Sequence, residues 1–132
     1  MNYRCEMSET GDYVRAWMGH PVTIELVRAF VAEAIRVAAA GRSAGGLGPD
    51  AIINCLLDVR GARNIESAAN VYWYFREELP KLPRIKSARI AVVVDATDDS
   101  HGFVETTSGN AGYALQCFVE EQRAIDWLRA RS

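Results

Sequence analysis

Two stretches of this chain leave little freedom in what it can fold into. Residues 51–59 (AIINCLLDV) and 88–94 (ARIAVVV) are apolar almost throughout, with no alternation between polar and apolar positions. At that length each reads as a strand. A strand apolar on both sides must be covered on both faces, the usual condition of a parallel sheet flanked by helices. The neighbouring segments supply those helices. From Thr23 to Ala40, Val27, Val31, Ala34 and Ala38 recur at helical spacing, and Phe30 and Ile35 widen the stripe. Glu25 with Arg28, and Glu33 with Arg36, form i,i+3 pairs on the opposite side. Gly41 is expected to stop this helix, leaving GRSAGGLGPD (41–50) as the one flexible loop. A second helix is expected from Ile65 to Leu79, ended by Pro80 and Pro83.

The two ends of the chain complete the pattern. Residues 2–7 (NYRCEM) alternate, residues 13–18 (YVRAWM) are rich in β-formers, and SETGD between them is turn chemistry, so an antiparallel hairpin opens the chain. After DATDDS comes a short helix, about 100–108, closing at GNAG. A last strand at 113–119 (YALQCFV) and a last helix at 120–130 follow, the latter with Glu120 and Glu121 at its start and Arg129 and Arg131 at its end, as its dipole favours. The order β-β-α-β-α-β-α-β-α predicts an α/β fold. Its mixed sheet opens with the antiparallel hairpin and continues as parallel βαβ units, with about four helices. At 132 residues, 49% hydrophobic and 24% charged, residues 1–132 are read as a single domain.

Several classes of function drop out. The net charge is -2 with both signs scattered, so no basic stripe is present to neutralise a nucleic-acid backbone, and no nucleic-acid partner is expected. No run approaches the roughly 18 apolar residues of a membrane span. The opening MNYRCEMSETGDY lacks an apolar core behind basic residues, so the expected location is cytoplasmic. Cys5, Cys55 and Cys117 sit in apolar, strand-like contexts without a CxxC pair and are read as three reduced, buried thiols. His20 and His101 are the only histidines. His101 and Glu105 share an i,i+4 spacing, but a zinc site takes three or four ligands, so no metal is expected. GRSAGGLGPD lacks a GK[ST] ending and precedes a strand, so it is no phosphate loop, and no cofactor is implied.

In parallel sheets, ligands gather outside the carboxyl ends of the strands. Asp58, Arg60, Arg63, Asn64, Glu66 and Ser67 follow the first apolar strand, and Asp95, Thr97, Asp98, Asp99, Ser100 and His101 follow the second. If the strands are neighbours, both sets open onto one crevice. The candidate ligand-binding set is Asp58, Arg60, Arg63, Asn64, Ser67, Thr97, Asp98, Ser100 and His101. Arg60 and Arg63 near a helix start suit a small anion; they equally suit pairing with the carboxylates beside them. Asp98, Ser100 and His101 are the residue types of a catalytic triad. Residues so close in sequence diverge, however, no GxSxG elbow is present, and Asp or Ser ahead of a helix commonly caps it. No catalytic residue is assigned. VYWYF (71–75) places five large apolar residues in succession, and at about 100° per position they cannot share one helix face. Tyr72, Trp73 and Tyr74 are therefore either covered by another element or form an interface with a second copy of the chain or another protein.

The element order, with a helix entered shortly after an Asp-ended central strand, resembles the STAS domain of anti-sigma-factor antagonists. In signalling members of that family a D-S-S-G segment opens the helix, and its second serine is phosphorylated. Here the stretch reads LDVRGARNIESAA (57–69). Asp58 ends the strand, Glu66 matches the family's acidic residue and Ser67 its first serine. Ala68 stands at the phosphorylated position and Ala69 at the glycine, so a phosphoswitch does not carry over by position. The second half, RIAVVVDATDDSHGFVET with NAGY and CFVEEQRAIDWL, is similar to bacterial STAS-like and SEC14-like proteins. The resemblance covers about residues 12 to 128. It implies a non-enzymatic regulatory or protein-interaction module, as a homodimer or with another protein. The alternative is a binder of a small anionic or lipid ligand (nucleotide, phosphate or lipid) in the crevice, and third comes a hydrolase or transferase using His101.

Overall fold

The computed structural model describes residues 2–82 and 85–130. Pro83 and Arg131, read from the sequence as a helix stop and a closing charge, lie outside the described residues. Strands β1 (Tyr3–Met7), β2 (Tyr13–Met18), β3 (Asn54–Asp58), β4 (Arg89–Val93) and β5 (Ala114–Phe118) form one sheet in the order β1-β2-β3-β4-β5. The β1–β2 pair is antiparallel, with Tyr3 opposite Met18, and every later pairing is parallel. This is the mixed α/β sheet that the apolar runs predict, and β3 and β4 are neighbours, with Leu57 beside Val92.

Helix α1 (Ile24–Ala44) starts at Thr23, whose hydroxyl accepts from the Leu26 amide. It does not stop at Gly41. A Cβ there would lie 2.6 Å from Met7 Sδ, so the glycine lets α1 press against β1 rather than ending the helix. Gly45 ends it, its amide bonded to the Gly41 carbonyl.

The second helix differs more from its expectation. Regular α2 (Ala68–Trp73) passes into a π turn (Tyr74–Glu78) and a 3-10 turn (Leu79–Lys81). The wider π turn delays the inward face by one residue. Val71, Tyr74 and Phe75 share a buried face at ordinary helical spacing, and Leu79 joins them, while Glu78 turns outward and binds Arg28 of α1, with Arg28 Nη2 donating to Glu78 Oε2 at 2.9 Å. Tyr74 is therefore core, 3% exposed and edge-on to Phe75 at 5.6 Å. That corrects its expected place beside Tyr72 and Trp73 on a surface.

Alternation along the strands gives the sheet two unlike faces. On one, Tyr13, Leu56, Ala91 and Val93 pack against Ala124 and Leu128 of α4 (Glu121–Arg129). On the other, α1 lies over β1 and β2, and α3 (Gly102–Asn110) lies over β5. Between those two helices runs the apolar second face of β3 and β4.

Candidate functional site

The loops after β3 and β4 do meet, and they satisfy each other. The Gly61 amide donates to Asp95 Oδ2 at 2.6 Å, and the Asn64 amide to Ser100 Oγ at 3.0 Å. Asn64 Nδ2 reaches the Ser100 carbonyl at 3.3 Å. Arg60 is held by Asp58, through Nε at 3.0 Å and Nη2 at 2.7 Å, and also reaches Glu121 at 3.2 Å. Arg63 reaches different carboxylates, Asp98 at 3.4 Å and Asp99 at 3.5 Å. The two arginines are engaged separately. Ser67 caps α2, accepting from the Asn70 amide at 3.2 Å, and Thr97 is exposed on its turn.

His101 is 6% exposed, and its Nε2 donates to the Ala62 carbonyl at 2.8 Å, which fixes the ring as a brace between the loops. Asp98 accepts from the Ser100 amide at 2.9 Å. Its carboxyl is held below the ordinary range by the Ser100 hydrogen bonds first, and by the charges of His101 and Arg63 after them. Most of the polar groups of the two loops are thus bonded to one another.

Glu66 does more than its place in the sequence indicates. Oε2 accepts from the Ile24 amide at 2.9 Å, and Oε1 accepts from Asn70 Nδ2 at 2.7 Å and from the Ser67 amide at 3.3 Å. One carboxylate thus ties the starts of α1 and α2 together. These hydrogen bonds, that from Ile24 first, lower its pKa.

One feature, an apolar cavity, was not legible in the sequence. Between α1, the second helix and the sheet lies an apolar cavity of about 220 Å³. Its floor is Cys55, Leu57, Ile90 and Val92; α1 contributes Val27, Val31, Ala34 and Ile35; the second helix contributes Val71, Phe75 and Leu79. Asn64, Glu66 and His101 line it near the strand ends, and Arg42 with Ala51 and Ile52 lines it where α1 finishes. The unpaired thiols of Cys55 and Cys117 also border the cavity, and burial pushes both up to about 12, so they serve as wall and not as nucleophiles. The one sequence hint was the breadth of the α1 stripe, wider than a helix lying on two strands needs. Among the described residues no group of His, Cys, Asp and Glu is placed to hold a metal, and no helix is long and apolar enough to cross a membrane.

Neither protein-family models nor curated proteins match the chain. Among solved structures it is similar to an uncharacterized protein of the DUF3478 family with a SpoIIAA-like fold, from Shewanella loihica PV-4. That alignment covers 96% of this chain and 93% of that one, at 13% identity and a TM-score of 0.55. The likeness shows the fold, which is SpoIIAA-like, that is, STAS-like.

The Glu66 network has a pH signature. Because its folded pKa lies below the ordinary 4.5, its contribution is present above that value and fades as pH falls through the folded one. Glu66→Gln is expected to lower the melting temperature at neutral pH. It is also expected to flatten the acid-side loss, so that the two melting curves converge at low pH in a pH series of thermal melts.

Proposed function

We propose that this chain is a non-enzymatic binding module that takes an apolar small molecule between α1 and the sheet. The observation that carries the reading is the cavity itself. Apolar side chains that face an unfilled space lack packing partners on that side, so a ligand that fills it supplies contacts the fold does not make by itself. Apolar walls with a few polar groups at the ends are the ordinary make-up of small-molecule sites. The polar loops, expected from the sequence to hold the ligand, act in this reading as the closure of one end, through Asn64, Glu66 and His101. The ion pair of Arg28 with Glu78 links the two helices that wall the cavity.

A second reading concerns a partner. Tyr72 and Trp73, at successive positions, are 54% and 50% exposed, and exposed aromatics are typical of interface centres. A homodimer or a complex with another protein through this face would make the module regulatory, with ligand and partner coupled through the second helix.

Two outcomes check these readings. Dodecanol at about a hundredfold over its Kd should raise the melting temperature by roughly 8–12 °C. Val31→Phe, which puts its extra volume into the empty space, should fold and lose that shift; no shift in the wild type would sink the binding reading. For the interface, sedimentation velocity should give a dimer that Trp73→Ser converts to monomer, and a wild-type monomer would count against self-association.

A further inference from the structure

We infer that the cavity takes a single-chain amphiphile with an anionic head, and that Arg42 holds that head where α1 finishes. The inference deepens the binding reading and rests on it. The lining extends along α1 from Thr23 to Arg42, roughly 28 Å of helix at 1.5 Å per residue. The space is therefore long, as an aliphatic chain requires. Its volume, about 220 Å³, exceeds the ~150 Å³ that accommodates a benzene, and it falls well short of a two-chain lipid.

The two ends differ in charge and in commitment. Near the strand ends Glu66 already accepts three N–H groups, Asn64 is bonded to Ser100, and His101 to Ala62. An anionic head placed there would face the Glu66 carboxylate. At the opposite end Arg42, half-buried in the last turn of α1, donates to the Ala51 carbonyl at 3.3 Å. Among the described residues no carboxylate pairs with it. A guanidinium carries five N–H donors in a planar fork that fits a carboxylate or a phosphate, so this one has donors to spare. Ile52, beside Ala51 in the lining, is 57% exposed, which marks this end as the one that opens to solvent. A charged head can stay wetted there while the chain runs inward over Ile90 and Leu57.

Isothermal titration of the full chain with dodecanoate, dodecyl phosphate and dodecanol, each below its aggregation limit, tests the assignment. The better of the two anions should bind the wild type at least about tenfold tighter than dodecanol, the scale of one charge-assisted hydrogen bond, and it identifies the head as carboxylate or phosphate. Arg42→Met should bring the anions to the level of dodecanol, and Arg42→Lys should recover part of the difference. Equal binding of all three probes by the wild type overturns the anchor and leaves the cavity reading standing. Binding of none removes both. If Arg42→Met does not fold, the three-probe comparison in the wild type and in Arg42→Lys still decides.

Discussion

The structure depends on β3 and β4, the two strands apolar on both faces, and on how differently those faces are covered. Under α4 the cover is complete, and Leu56, Ala91 and Val93 are 0% exposed. On the opposite face Leu57 and Val92 are buried, but Cys55 and Ile90 stay only partly so. The chain order explains the asymmetry. With the strands laid down in sequence as β1-β2-β3-β4-β5, α1 settles over β1 and β2, and Gly41 draws it onto Met7. The crossover between β3 and β4 is then left to a helix that is regular only from Ala68 to Trp73. The cavity is what remains above the centre of the sheet.

That geometry separates two kinds of polar group. Those at the strand ends are committed to one another and to helix starts: Asp58 with Arg60, Asn64 with Ser100, Glu66 with Ile24. Buried or half-buried polar groups that are fully bonded make a rigid frame and are poorly placed to do chemistry. The groups facing the cavity are apolar instead, and Val31, Cys55 and Ile90 among them stay only partly buried. A fold of the SpoIIAA-like type says nothing by itself about ligands; the argument for binding comes from this imbalance.

Much of the fold could be read from the residues, for identifiable reasons. The runs 51–59 and 88–94 have no alternation, so their burial on both faces, and hence the helical layers, followed directly. The sequence left open whether the loops after β3 and β4 adjoin; the pairing of β3 with β4 brings them together. Three things were not legible. Gly41 reads as a helix stop, because a close approach to Met7 leaves no trace in the local sequence. The π turn at Tyr74–Glu78 puts Leu79 rather than Glu78 on the inward face, which 3.6-residue periodicity does not anticipate. The cavity is hidden for a deeper reason: Val31, Leu57 and Ile90 would be the same residues whether they touched one another or enclosed a space. Sequence reports hydrophobicity, and packing decides whether it closes.

The most direct measurement is a crystal structure of the protein under xenon pressure, since xenon enters dry apolar cavities and scatters strongly. The account predicts xenon between α1 and the sheet, in contact with Val31, Leu57 and Ile90. A structure in which α1 packs directly on β3 and β4, with no xenon between them, would contradict it.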